Sequence, residues 1–370
     1  MQRRQNDIEP DRDELRLSLD AQKRRLELSP PVEYHGTMDR LPVAVVIPTH
    51  GRREGLLNTL RSVLHARCAD QISRFLIVEN GTSLISQSLL DMEFRDSRIA
   101  CLWSEQSNKS AALNLALQDT GRDPYIIFFD DDVLLDEGCI ASYLGAFERF
   151  PGAHYFGGPT QSVLPRRLHP AILNLMPTCV RGHDYRKELG FTGRDLFCVG
   201  FNWAARAQDL LDVGGFDPRF GPGSRTGAAG QEANMQLRLN GISGCSGIWV
   251  PGARVTHVLD ADRGTLKWWF HRKIRGGVFL GLTPRLLGHQ ILNFFRAEAG
   301  YLLRNEPTLK GCCLRMLYRT VGSFAVLLGI LKVLWLRARG DMSTPAGLPE
   351  SPLQPFAEKK DGPASGRSRS

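Results

Sequence analysis

No cysteine pair is spaced as CxxC, and no cysteine and histidine grouping has zinc-site spacing. The eight cysteines, at positions 68, 101, 139, 179, 198, 245, 312 and 313, are scattered among mostly apolar neighbours. That favours reduced thiols in a cytoplasmic setting over a disulfide framework. The N-terminal stretch MQRRQNDIEPDRDELRLSLD lacks the apolar run of a cleavable signal peptide, so the catalytic part is expected to face the cytoplasm. A recognised nucleic-acid-binding motif is also missing, although the net charge is +8. Acids are scarce in one region: residues 263–339 hold fourteen Lys and Arg against only Glu298 and Glu306. This segment's +12 exceeds the excess of the whole chain. Its cations alternate with aliphatic and aromatic residues, a pattern that suits anionic lipid headgroups rather than nucleic acid.

What is present suffices for one large core or two modest ones, since 42% of the 370 residues are hydrophobic. Residues 1–40 read as a polar arm or peripheral helix, with a short amphipathic stretch around Leu15 to Leu28. The core is expected to begin at Leu41. Val43 to Ile47 is a β-branched run, and Pro48, Thr49, His50, Gly51 and Arg52 then form a strand-to-helix turn. Leu56, Leu57, Leu60, Val63 and Leu64 have helical spacing. A second unit repeats the scheme with Phe75 to Val78 and the turn Glu79-Asn80-Gly81-Thr82. A third strand, Ile99 to Trp103, leads to Asn108, Lys109 and Ser110, which open a helix with Ala112, Leu113, Ala116 and Leu117 on its apolar face. A lysine at a helix N-terminus is placed to meet phosphate, or is an ordinary exposed lysine.

The fourth strand, Ile126 to Phe129, runs straight into Asp130, Asp131 and Asp132. In open α/β sheets ligands bind beyond the carboxyl ends of the strands. Three adjacent carboxylates repel one another unless a cation compensates, and hard oxygen ligands suit magnesium or manganese. The plainer reading is a solvated turn capping a helix that starts near Asp136.

The ordered set VAVVIPTHGR, IVENGT, NKSAALNLAL and FFDDDV resembles the nucleotide-sugar-binding half of glycosyltransferase family 2. Downstream, GFNWAAR from Gly200, VGGFD from Val213, GQEANMQLRL from Gly230 and Val255-Thr256-His257 are similar to that family's acceptor half. The resemblance covers about residues 42 to 260 and implies an α/β chain of the GT-A fold. That fold is Rossmann-like, with a mostly parallel central sheet and flanking helices. The division expected is a polar arm over 1–40, a nucleotide-sugar half over 41–160 and an acceptor half over 161–262. Basic, membrane-associated amphipathic helices over 263–340 and a disordered tail over 341–370 complete it.

The resemblance implies a donor site of Pro48, Thr49, Arg52, Glu79, Lys109, Asn114, Asp130 and Asp131. Glu79 stands where the family usually has Asp. Asp130 and Asp132 match the DxD pair, Asp132 being the better ligand for a Mn2+ or Mg2+ bridging the diphosphate. His257 either joins that metal or is structural. Glu232 stands where the family's catalytic base is usually Asp, or it only caps its helix; Gln231 is implied in acceptor binding. Trp203 offers a flat face for a sugar, or is a buried core aromatic. The glycines at 214, 215, 221 and 223 suggest a mobile acceptor loop.

The segment from Lys267 to Gly276 joins aromatics to cations, fit for a membrane interface, for the phosphate of a lipid-linked acceptor, or for an amphipathic helix folded back on the catalytic domain. Thr320 to Leu336 is short for a bilayer span and is expected to lie on the cytoplasmic face. The expectation is thus a metal-dependent inverting transferase at the cytoplasmic face of the membrane, moving a sugar from a nucleotide-sugar donor to a glycan or lipid-linked acceptor in cell-surface polysaccharide synthesis. A sugar nucleotidyltransferase and a catalytically silent sugar-nucleotide or glycan-binding subunit are the alternatives.

Overall fold

The computed structural model describes residues 42–120, 124–164, 168–173, 175–192, 198–241, 247–286 and 309–341. The arm expected over residues 1–40 and the tail beyond residue 341 lie outside the described residues.

Four apolar runs build one side of the large sheet: β1 (Val43–Thr49), β2 (Arg74–Asn80), β3 (Ile99–Ser104) and β4 (Tyr125–Phe129). Every residue of β1 and β4 is buried, as both faces must be in a parallel sheet covered by helices. The remaining strands are short: β5 (Val133–Leu135), β6 (Tyr155–Gly157), β7 (Thr160–Val163), β8 (Gly190–Phe191), β9 (Asn202–Arg206), β10 (Gly247–Trp249) and β11 (Val255–Val258). The eight-stranded sheet has the order β3-β2-β1-β4-β9-β6-β10-β8. β1 to β4 are parallel, β9 runs against β4 and β6, β10 is parallel to β6, and β8 is reversed. The chain winds outward from β1 to β3 and then crosses back to lay β4 on the other side of β1. That reversal opens a crevice at the carboxyl ends of β1 and β4, the place where such sheets bind ligands.

The helices are α1 (Arg53–His65), α2 (Gln87–Phe94), α3 (Lys109–Asp119), α4 (Cys139–Arg149), α5 (Ala207–Asp212), α6 (Gln231–Leu239), α7 (Leu266–Leu282) and α8 (Leu309–Ala338), with shorter turns at Pro170–Leu173 and Thr178–Arg181. Asn108 caps α3, its side chain accepting from the Ala111 amide at 3.1 Å. Beneath the crevice Phe128 stacks on Trp203 of β9, ring centres 4.9 Å apart, and meets Phe216 edge-on at 5.7 Å.

A second sheet, β5-β11-β7, was not legible as such in the sequence. Val133 to Leu135, directly after the aspartates, pairs with β11 so that His257 lies opposite Val133. The Val258 amide also donates to the Asp132 carbonyl at 2.8 Å. A residue 125 places downstream is thereby fastened beside the third aspartate.

At the C-terminus α7 and α8 bring their backbones together at two glycines, while Trp269 against Gly322 and Val333 against Gly281 fill other parts of the seam. A Cβ on Gly277 would lie 2.1 Å from the Val326 carbonyl oxygen, and one on Gly329 2.2 Å from that of Ile274. The inner stripe of α8 includes Gly311, Arg315, Tyr318, Gly322, Ala325, Gly329 and Val333. Its outer face exposes Met316, Leu317, Phe324, Leu327, Leu331, Leu334 and Trp335.

Candidate active site

The crevice is a cavity of about 560 Å³ that Pro48, Thr49, Arg52, Lys109, the three aspartates, Gln231, Glu232 and His257 all help to line. Each aspartate has its own cationic or hydroxyl partner. Lys109 donates to Asp130 Oδ1. Thr49 Oγ1 donates to Asp131 Oδ2 at 2.6 Å. Arg52 donates to Asp132 Oδ2 at 2.5 Å and to Asp260 at 2.9 Å. The backbone turn after β1 is held by Asn80, whose side-chain amide donates to the Thr49 carbonyl at 2.6 Å.

The environments separate the carboxylates. Burial raises the Asp131 pKa to about 6, the Thr49 bond offsetting this only in part while Asp132 and Asp130 add repulsion. Burial would raise Asp132 too, but contact with His257 and Arg52 outweighs it and lowers its pKa to about 2. For Lys109, burial alone would lower the pKa; the Asp130 carboxylate more than compensates and the pKa is raised. His257 behaves alike, burial being outweighed by Asp132.

The chemistry of the donor set fits a divalent cation. Asp132 Oδ1 is buried and makes no hydrogen bond. It lies 3.2 Å from His257 Nε2, a charge contact. His257 Nδ1 is 2.8 Å from the Cys179 carbonyl, to which it donates, and this presents Nε2 to the cavity. Two donors 3.2 Å apart fit adjacent corners of an octahedral shell, which for bonds of about 2.1 Å are about 3 Å apart. Among the described residues no three His, Cys, Asp or Glu side chains form a metal cage. The arrangement therefore suits a magnesium-like ion that takes one or two protein ligands and completes its shell with phosphate oxygens and water.

Across the cavity, Gly230 at φ +79° breaks the chain into α6, whose first turn carries Gln231 and Glu232. Gly200 makes room: a Cβ there would lie 2.8 Å from the Glu232 carboxyl carbon. The Glu232 side chain has no hydrogen bond or ion pair among the described residues, so its carboxylate is left facing the cavity.

Three expected site residues stand elsewhere. Glu79 is fully buried and braces its own loop, accepting from Thr82 Oγ1 at 2.7 Å and from the amides of Leu84 and Ile85 at 3.0 and 2.7 Å. Asn114 bonds the Phe216 backbone both ways, at 2.8 and 2.6 Å. Trp203 is 1% exposed, in the core. The glycine-rich loop is fastened too: the Lys109 amide donates to the Pro222 carbonyl at 3.0 Å, and a Cβ on Gly223 would lie 1.7 Å from the Ser107 carbonyl oxygen.

Sequence reasoning missed a cavity wall formed by α7. Trp268, His271, Arg272 and Arg275 all line the cavity, joined by Arg263. Their spacing of i, i+3, i+4 and i+7 marks one helix face, and that periodicity was available in the sequence. The helix is folded back on the catalytic domain with these cations turned to the cavity.

Residues 44–210 match the family described as glycosyl transferase family 2. No curated protein matches the chain in sequence. Similar solved structures include the mannosyltransferase PcManGT from Pyrobaculum calidifontis in complex with GDP-Man and Mn2+, at 15% identity and TM-score 0.45, covering 89% of this chain and 83% of that one. GalNAc-T7 with UDP, GalNAc and Mn2+ is 13% identical at TM-score 0.45, with 75% and 60% covered. S. aureus TarS 1-349 in complex with UDP-GlcNAc is 10% identical at TM-score 0.45, with 64% and 66% covered.

Proposed function

We infer, from a chain whose residues 44–210 are a glycosyl transferase family 2 domain of GT-A fold, that it transfers a sugar with inversion from a nucleotide-sugar donor to an acceptor hydroxyl. The observation that carries this reading is the opposition within one cavity of the Asp132–His257 pair and the unpartnered Glu232. Asp132 and His257 would hold a Mn2+ or Mg2+. When bound, that ion supplies positive charge against the diphosphate as it departs.

The chain's own residues supply the rest. Lys109, at the N-terminus of α3, adds a fixed positive charge on the diphosphate side. Asp131 is held by Thr49 and sits behind Asp132 as part of the wall. Glu232 takes the proton of the acceptor hydroxyl as its oxygen bonds to the anomeric carbon and the bond from that carbon to the nucleoside diphosphate breaks. Glu232 sits in the first turn of α6 with its carboxylate free of any described partner. Gln231, 6% exposed, lies beside it as a candidate contact to the acceptor.

α8 is the one helix among the described residues long and apolar enough to cross a membrane. Its inner stripe is spent on α7 and the Pro170–Leu173 turn, Arg315 donating to the Ala171 carbonyl at 3.0 Å. A helix so occupied, with one apolar face free, suits lying in the interface of an anionic bilayer. The cytoplasmic face, and a glycan or lipid-linked acceptor in polysaccharide synthesis, fit this placement.

The test is release of nucleoside diphosphate from a panel of UDP-, GDP- and dTDP-sugars by the full chain in detergent, with Mn2+ or Mg2+ and a lipid extract. Release that needs the cation is expected, abolished by Asp132→Asn. Glu232→Gln is expected to keep donor binding and lose turnover. Cation-dependent binding with no release under any acceptor would point to a silent binding subunit instead, and absence of donor binding would refute the site.

A further inference from the structure

The cavity's two walls are charged differently. On the aspartate wall every carboxylate is matched by a partner: Lys109 for Asp130, Thr49 for Asp131, Arg52 and His257 for Asp132. The α7 wall is unmatched. Arg272 and Arg275 line the cavity, yet their side chains make no hydrogen bond or ion pair with any described residue. Arg263 has only loose contacts at 3.6 Å to the exposed Asp260 and Asp262, and its guanidinium lies 5.6 Å from the centre of the Trp268 ring. Burial and then the neighbouring Arg272 and Arg263 bring the Arg275 pKa down to about 10, with Glu232 the chief carboxylate acting the other way.

We propose that Arg263, Arg272 and Arg275 seat a phosphate group carried by the acceptor, beside Glu232. This rests on the reading of the Glu232 side as the acceptor side. Arg272 and Arg275 face a single carboxylate, Glu232, which leaves one positive charge unanswered, and Arg263 is held only at 3.6 Å by the exposed Asp260 and Asp262. A phosphomonoester brings a charge of about −1.5 to −2 at neutral pH and oxygens that match guanidinium forks. A neutral sugar would leave Arg272 and Arg275, both half-buried, without an anionic partner, which is costly. The donor's diphosphate has its own seat against Asp132, His257 and Lys109, so these arginines are free for a second anion. Position supports this as well. The Ala229 amide, in the turn leading to Glu232, donates to the Arg275 carbonyl at 3.2 Å, tying this part of α7 to the base. The phosphate could belong to a lipid or to a soluble phosphorylated acceptor; the chemistry recognised is the same.

The experiment uses the full chain in detergent, saturated with Mn2+ and UDP or GDP, titrated calorimetrically with hexyl phosphate, hexanol and inorganic phosphate. Hexyl phosphate is expected to bind, hexanol not, and inorganic phosphate to compete. The double variant Arg272→Gln/Arg275→Gln is expected to weaken hexyl phosphate at least about tenfold, a change of about 1.4 kcal/mol, with the nucleotide and Mn2+ affinity within about twofold. Arg272→Lys/Arg275→Lys, which keeps the charge and removes the fork, should fall between. Hexyl phosphate much tighter than inorganic phosphate assigns a lipid source, and equal affinities a soluble one; both support the seat. Equal binding of hexyl phosphate and hexanol overturns it. So does a matching loss of nucleotide affinity in the variants, which would give the arginines to the donor. If the wild type binds hexyl phosphate but neither nucleotide, the donor reading fails and the phosphate seat stands.

Discussion

Asp132→Asn separates a metal-bearing aspartate from a solvated cap, because the two give opposite signs. In the structure Asp132 is only 19% exposed at its side chain, accepts from Arg52 at 2.5 Å and faces His257 Nε2 at 3.2 Å. Its pKa of about 2 against an ordinary 3.8 corresponds to about 2 kcal/mol of folding stability. A carboxylate held below its ordinary range contributes this stability above about pH 4 and loses it as pH falls toward about 2. At pH 7 the amide variant should therefore melt roughly 4–8 °C lower, at 2–4 °C per kcal/mol for a domain of this size. A second, independent readout is ligand stabilisation. Mn2+ with a nucleoside diphosphate at a hundred times its Kd would add about 2.7 kcal/mol to the wild type, or roughly 5–11 °C, and nearly nothing to Asp132→Asn. The assay is differential scanning fluorimetry at pH 7 with and without both ligands. Were the triplet merely a solvated turn, neutralising one of three adjacent charges would relieve repulsion. A variant melting at or above the wild type, with the full ligand shift retained, would refute the metal-bearing role of Asp132.

Glu79→Gln should destabilise by about 1–3 kcal/mol, since one carboxylate acceptor facing an amide becomes a donor, yet leave UDP and Mn2+ binding unchanged; calorimetric loss of nucleotide affinity in a folded variant would put Glu79 back in the donor site. Gly329→Val must part α7 from α8, because its Cβ would meet the Ile274 carbonyl oxygen at 2.2 Å; a loss of about 1–3 kcal/mol is expected, and a denaturant midpoint equal to wild type would show that the helices do not touch there. Burial, with Arg319 and Arg272 nearby, lowers the Lys273 pKa to about 8. The folded chain then sheds this proton before the unfolded one, so Lys273's contribution to stability should increase from about pH 8 to about pH 10.5. Lys273→Met should flatten that part of the stability profile, and an unchanged slope would refute it.

The features read correctly from sequence were local. Val43 to Ile47 and Ile126 to Phe129 are apolar without interruption, which leaves a buried parallel strand as the economical outcome, and the residues after each strand must then emerge at the sheet's carboxyl edge. That alone puts Thr49 and Asp130 to Asp132 beside one another. The misses were matters of long-range register or of facing. Nothing local in Val133-Leu134-Leu135 says that it pairs with β11, yet that pairing brings His257 to Asp132. Whether Glu79 points to ligand or into its own loop depends on a turn six residues long. The cations of α7 left three readings open, a membrane interface, an acceptor phosphate and a helix folded back on the domain, because mixed aromatics and cations look alike whether they face headgroups or a cavity; only the i, i+3, i+4, i+7 spacing distinguishes one side, and that clue concerns facing, not partner.

The glycine seam of α7 and α8 has a mechanical consequence. With Gly277 against the Val326 carbonyl and Gly329 against that of Ile274, and with Trp269 and Val333 seated on Gly322 and Gly281, the two helices are locked at several points and behave as a single plank. One edge of that plank carries Arg272 and Arg275, and the other carries the apolar face from Met316 to Trp335. On the proposed bilayer placement of α8, such a plank would hold its arginine edge at a fixed distance from the lipid.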